Sequence, residues 1–462
     1  MLDMMAKVID DLSEKDVTFA DIRQEFHAST QIMVVNGDLR RFSRATKGGT
    51  VVRALVGECW GMASTSETLS AEICRNLLTD AVKSAKANAK FSRKKLDFSE
   101  IKPIEKTIWQ ESKINPAQVS TEEKLDFVMA LDKGQKTDDR IVNTNSVYND
   151  AKRVYRLVNT AGSRLEWDEL RTLAVVQPIA RQGDKMHFDY DVKGGRVGYE
   201  LIQQIDPDLF GAECSKGAIE LLSAEKPPSG NMTVVVDGAI SGLIAHEVCG
   251  HASEADEVVK GRSFLTGQVG KQLGTEHVTM VDDGTLKDVS GSFPFDSEGT
   301  PASRTMIIEN GVFKGYLHTL ETAILMGVNP TGNGRAQDYN RRIFARMTNT
   351  FFDKGHWKDD EIIADTKEGL YVIKAMSGME DVVGGGVQCS ALKGYIIKNG
   401  EATKLVRSMS LAGKVIDILK TVDAVGDELE FWGGTCGKGE EDFLSVSSGG
   451  PHMRAKMVVG GG

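Results

Sequence analysis

The chain has no excess of basic residues, no long apolar run and no closely paired cysteines, and each absence removes a class of protein. Its 56 lysines and arginines are outnumbered by 66 aspartates and glutamates, for a net charge of -10. A surface that neutralises nucleic-acid phosphates needs concentrated Lys and Arg, so direct nucleic-acid binding is not expected. No apolar stretch approaches the ~18 residues that cross a bilayer, so no membrane span is expected. The opening MLDMMAKVIDDLSEK carries acids where a signal peptide has a basic flank and an apolar core, so no secretory signal is expected. The six cysteines, Cys59, Cys74, Cys214, Cys249, Cys389 and Cys436, include no CxxC pair. In a chain of this size that pattern fits reduced thiols and a cytoplasmic location better than a disulfide framework. Long-period repeats and low-complexity segments are also missing.

What the chain does have is length and glycine. Its 462 residues exceed one ordinary core, and two or three domains are expected. Its 48 glycines, many in runs, mark tight turns or close backbone approaches. The pattern predicts a first helix with Leu2, Met5, Val8, Ile9 and Leu12 on one stripe, then short strands with turns at Asn36-Gly37 and Gly48-Gly49. A second helix buries Leu69, Ile73, Leu77 and Val82, and a polar connector follows from Phe91 to Gln118. STEEK opens a third helix over 120–134, antiparallel strands fill 140–192, and helix returns near 199–224. Lys226-Pro227-Pro228-Ser229-Gly230 marks a boundary, beyond which a strand over 232–236, an Asp237-Gly238 corner and short strands between glycine-rich turns are read. Asp282 and Asp283, beside Gly284, read as turn-formers. The expected fold class is α+β. An N-terminal domain of helices on antiparallel sheet spans 1–225, with subregions 1–95 and 115–225. A β-rich C-terminal domain, 226–462, carries the stretch SGLIAHEVCGHASEAD.

That stretch holds His246 and His251, five residues apart. On a regular helix this spacing separates side chains by about 140°, against about 40° for a spacing of four. The two imidazoles converge only if the turn between them is widened, as in a π-bulge, or bent. Gly250, lacking a Cβ, marks where such a distortion is easiest. Glu247 suits a general base that takes a proton from an activated water and passes it to a leaving amine. A catalytic zinc takes three protein ligands. Candidates for the third are Cys436 in GGTCGKG, His452, His277, Cys249 and Glu254. Cys436 lies among glycines that leave substrate room, and a thiolate is a good zinc ligand. Cys249 reads as a buried small hydrophobe, His452 as a surface turn residue, and His277 and His318 as strand histidines.

The motifs HEVCGHASEAD, TGQVGKQLG, TMVDDGT, DSEGTP, IENGVFKGYLHT, GVNPTGNGRAQDYNRRIFARMTNT and GTCGKG occur in order over residues 229–462. Together they closely resemble the active, TldD-like branch of the TldD/PmbA family, and residues 1–225 resemble its N-terminal domain more loosely. The resemblance implies a zinc-dependent peptidase acting on small or unfolded polypeptides. Carried onto this chain, His246, His251 and Cys436 become the zinc ligands and Glu247 the catalytic base. Family members are dimers, often pairing an active subunit with a paralogue that lacks the motif, so a homodimer or such a heterodimer enclosing the site in a cavity is implied. A described effect on DNA gyrase is read as indirect. Cys249 between the histidines, and Ala252-Ser253 after them, depart from the more glycine-rich family pattern. Arg335, through a peptide carboxylate or an acidic side chain, and Tyr339, at an oxyanion, are candidate substrate contacts. The rival readings are a metal-dependent amidohydrolase acting on other amides, and a non-catalytic regulatory protein with a structural metal.

Overall fold

Asn36-Gly37 closes a long hairpin, and both residues have positive φ, 54° and 86°. A two-residue turn between right-twisted strands requires that combination. Its strands, Val17–Val35 and Asp38–Val56, are continued by Cys59–Thr65 on one side. On the other side follow Asn145–Asn159, Arg164–Val176 and Asp191–Gly195. A seventh strand, Glu105–Ile108, runs parallel to Arg164–Val176. The sequence reads there as connector, because four residues with three polar side chains carry no alternation to betray a strand. Gly48-Gly49 is likewise not a turn. It lies within Asp38–Val56, opposite Phe26 and Glu25. A Cβ on Gly48 would lie 2.8 Å from the Glu25 carbonyl oxygen, and one on Gly49 would lie 2.3 Å from the Tyr339 ring. These glycines therefore admit close neighbours rather than reverse the chain.

The computed structural model describes residues 1–90 and 96–461; the first five connector residues, 91–95, and Gly462 lie outside the described residues. Helices Leu2–Asp10 and Ala71–Ala89 share a core with Ile22, Val52 and Val158. Helices Thr121–Gly134 and Pro207–Leu221 share another with Ile32, Tyr148 and Val176. Ser70, Ser120 and Asp206 cap three of these helices by accepting a backbone N–H three residues on.

In the second half, Gly230–Val236, Glu368–Asp381, Gly386–Lys398, Glu401–Lys414 and Met453–Gly461 pair in sequence, and the last returns to the first. Two of these contacts are short, Val234–Val236 with Leu370–Val372 and Met409–Ala412 with Val458–Gly461, so the ring closes at one end and the long strands keep open edges beyond it. Asn310-Gly311 and Asn399-Gly400 close hairpins with the same positive dihedrals as Asn36-Gly37. A second sheet contains Arg304–Glu309, Met280–Asp283, Asn349–Phe352, Glu441–Gly450 and Glu430–Lys438. Asp282 lies in a strand rather than a turn. It is 1% exposed and accepts hydrogen bonds from Thr348, Thr350 and Asn333. Burial demands such satisfaction of a carboxylate, whereas a turn aspartate would face water. The fold is α+β, as the sequence predicts.

Buried polar contacts tie the N-terminal sheet to the second half. Arg53 bridges Asp21 and Glu298, Trp60 Nε1 donates to Glu321 at 2.9 Å, and Arg23 donates to the Ser297 carbonyl at 3.0 Å. Among the described residues, no helix is long and apolar enough to cross a membrane.

Candidate metal centre

Asp237 caps the helix Gly238–Ala245 by accepting the Ile240 N–H. The helix then widens: His246–Gly250 forms one π-helical turn, and His251–Ser253 continues as a 3₁₀ turn. The extra residue in the wide turn brings the two histidines onto one side, as a spacing of five requires. Their rings meet edge to face, 5.1 Å between centroids. Gly250 keeps ordinary helical dihedrals, φ -57° and ψ -64°, so its unusual conformational range is not used. Its value lies in its size, because a Cβ there would fall 2.1 Å from Met347 Sδ.

Cys436 reaches the pair from the strand Glu430–Lys438. Its Sγ lies 3.2 Å from His246 Nε2 and 3.2 Å from His251 Nε2. The three donor atoms lie within 4.8 Å of one another, and no fourth His, Cys or carboxylate donor joins them among the described residues. Burial alone would raise the Cys436 thiol, but the two imidazoles outweigh it and pull it down to about 5. A thiolate between two imidazole nitrogens is a donor set that fits zinc, with one tetrahedral position left over.

Behind the trio stands a charged scaffold. Glu254 Oε2 faces His251 Nδ1 at 3.3 Å and Lys438 Nζ at 2.9 Å. Burial works against ionisation of Glu254, yet Lys438 and His251 hold its carboxyl well below the usual range. Arg346, fully buried, donates to Glu441 at 2.8 Å and to the Cys436 carbonyl at 2.9 Å. Glu254 is therefore placed behind His251 and not among the converging atoms. Hydrogen bonding at the far ring nitrogen fixes which nitrogen faces a ligand site.

Glu247 points to a second carboxylate, Glu380. Burial pushes Glu247 up to about 7, with His246 opposing and the Glu380 carboxyl adding to the rise. Glu247, His251 and Glu380 form a second trio whose donor atoms lie within 4.8 Å. The backbone of Gly378 crowds Glu247 from the facing strand: a Cβ there would fall 2.3 Å from Glu247 Cγ.

His246, Glu247, His251, Glu380 and Cys436 line a cavity of about 900 Å³. One wall is Ala375–Gly378 with Glu380, another is Trp432–Gly437, and Tyr190 and Asp191 reach in from the N-terminal half. Tyr190 donates its hydroxyl to the Ala375 carbonyl. Lys374, at a left-handed φ of 62°, donates its N–H to Asp237 at 2.9 Å and its Nζ to Asp189 at 2.5 Å. Among the described residues, the strand containing Ala375–Asp381 pairs on one side only beyond Val372. The strand Glu430–Lys438 pairs, among the described residues, only with Glu441–Gly450. Two sheet edges thus face the cavity.

The other sequence candidates lie elsewhere. His452 lines the same cavity but is engaged by the Tyr371 hydroxyl at 2.9 Å and by Asp359 at 2.8 Å, so it is more than a surface turn residue. His277 is exposed, Cys249 sits in the apolar core, and His318 pairs with the Thr322 hydroxyl at 3.2 Å. Arg335 and Tyr339 are not among the residues lining this cavity. Arg335 is 6% exposed and its guanidinium donates to the carbonyls of Met347 and Ser445, while Tyr339 packs over Gly49. Sequence reasoning missed Glu380, Lys438 and Arg346. Lys438 stands two residues from Cys436, where strand alternation puts it on the same face. Glu380 had no sequence signal, because only a distant strand pairing carries it to Glu247.

Models of three PmbA/TldA metallopeptidase domains match the chain: domain 1 at 20–89, the central domain at 114–222 and the C-terminal domain at 229–461. The chain belongs to the PmbA/TldD metallopeptidase family. A metalloprotease of Methanocaldococcus jannaschii is 35% identical over 443 residues, 96% of each chain. A solved structure from Thermotoga maritima, described as a modulator of a DNA gyrase, superposes with a TM-score of 0.80 at 21% identity, covering 99% of both chains. TldE from Thermococcus kodakarensis gives 0.77 at 18%, covering 99% of this chain and 100% of that one. These two establish the fold alone.

Proposed function

We propose that this member of the family is a zinc-dependent peptidase that hydrolyses peptide bonds in small or unfolded polypeptides. The observation that carries the reading is the convergence of His246, His251 and Cys436 on one wall of a large cavity, with Glu247 beside them. His246, His251 and Cys436 would hold the metal. Bound there, zinc supplies Lewis acidity toward a peptide carbonyl and toward water. Glu247 accepts the proton of the attacking water and delivers it to the departing nitrogen. Glu254 holds the His251 ring in one orientation, and Lys438 with Arg346 holds Glu254.

The two sheet edges suit an extended substrate. Main-chain pairing to an edge strand binds polypeptide with little regard to side chains, and a folded domain cannot present such a segment. Assembly as a homodimer, or with a paralogue lacking the motif, would close the cavity further. The protein would then work in the cytoplasm on chains already unfolded or cut.

Zinc-loaded protein incubated with casein tests the reading. Glu247→Gln should abolish cleavage while retaining one zinc per chain. Cleavage by that variant at the wild-type rate would reject Glu247 as base.

A further inference from the structure

Between the N-terminal sheet and the second half lies a small cavity of about 30 Å³. It exceeds the ~10–15 Å³ that one water needs, and it suits one monatomic ion or two waters. Three guanidinium groups line it: Arg153 from the strand Asn145–Asn159, Arg171 from Arg164–Val176, and Arg335 from the second half. Arg171 is paired with Glu169 at 2.6 Å. Arg153 and Arg335 have no carboxylate oxygen within 4.0 Å among the described residues; Arg153 donates to the Gln337 carbonyl and hydrogen-bonds the Tyr155 hydroxyl, and Arg335 donates to the carbonyls of Met347 and Ser445. The Trp167 indole, 1% exposed, lies on the same wall, and its buried Nε1–H has no acceptor among the described residues.

The charges on this wall do not balance. Three cations face the carboxyls of Glu169 and Asp296, with Glu25 acting on Arg153 from outside the cavity wall; burial, reinforced by Glu298, pushes Asp296 up to about 8, against the backbone N–H groups of Glu298, Thr300 and Gly334 that donate to it. Burial pulls Arg335 down to about 10, with Glu169 opposing and Arg171 adding to the fall. Buried cations without a counter-charge, and a buried donor without an acceptor, are each costly. We propose that the cavity binds a single small inorganic anion of halide size, held by Arg153, Arg171 and Arg335 and accepting the Trp167 N–H. Its residues come from both halves of the chain, so the ion fastens the N-terminal sheet to the region carrying the metal centre. This inference stands apart from the peptidase reading.

Full-length protein, prepared free of halide in gluconate buffer, tests it. Bromide titrated at constant ionic strength should raise the thermal midpoint saturably, by roughly 2–4 °C, and crystals grown in bromide should show an anomalous peak between the three guanidinium groups. Trp167→Phe, which keeps the ring stacked on Tyr155, should weaken the bromide response several-fold, and Arg153→Gln should reduce it further. Equal midpoints in bromide and gluconate, with no anomalous peak in the cavity, would overturn the proposal and leave it a water site. A bromide response unchanged in both variants would overturn it equally, because the ion would then act elsewhere.

Discussion

His251 Nδ1 faces Glu254 Oε2 at 3.3 Å, and Lys438 Nζ holds the same carboxylate oxygen at 2.9 Å. The imidazole is thereby oriented with Nε2 toward Cys436. Glu254→Gln removes the charge behind His251 and should weaken zinc binding about 10–100-fold, the usual cost of losing such a partner. Competition with a chromophoric chelator measures it. An unchanged affinity would show that His251 needs no such support.

Cys436→Ala removes the thiolate and should leave less than one zinc per chain after dialysis, because two imidazoles make an incomplete site. Cys249→Ala should retain full zinc, since Cys249 lies in the apolar core away from the trio. Metal analysis of both variants side by side separates a ligand from a buried thiol.

Gly378→Ala places a methyl group 2.3 Å from Glu247 Cγ and forces the carboxylate to move. Casein cleavage should fall about 10²-fold or more, within the range attributable to a displaced general base. Zinc content should not change, since none of the three converging donors is touched. Loss of metal together with activity would place Glu247 among the ligands instead.

His318 gives stability a pH dependence of known sign. Burial lowers it to about 4, against 6.5 for an ordinary histidine. As pH falls from about 6.5 toward 4, the unfolded chain takes up a proton that the folded chain resists, so stability declines across that window. The contribution is up to about 3 kcal/mol. The carboxylates add slopes of their own, so the comparison is with His318→Gln. Urea midpoints of the variant should fall less between pH 7 and pH 4.5 than those of the wild type, and equal falls would assign the slope elsewhere.

Features set by neighbouring residues were legible in the sequence. The Asn36-Gly37 turn, the Ser120 cap and the need for a widened turn between His246 and His251 follow from dihedral preference, capping chemistry and helical angle. Features set by distant pairing were not. Glu105–Ile108 became a strand because an edge was available, and Gly49 is small because the ring of Tyr339, far along the chain, packs against it. Glu380 meets Glu247 only through the packing of the five-stranded ring against the widened turn. Arg335 illustrates the same limit: its charge suggested a substrate contact, but it lines a different cavity from the one that holds the two histidines.

The central claim is that one zinc ion is held by two imidazoles and one thiolate. X-ray absorption at the zinc edge of the reconstituted protein tests it most directly. The account predicts two nitrogen scatterers, one sulfur at about 2.3 Å and one exchangeable oxygen, with the sulfur lost in Cys436→Ala. A shell of nitrogen and oxygen alone would contradict it, pointing to Glu247, His251 and Glu380 as the site.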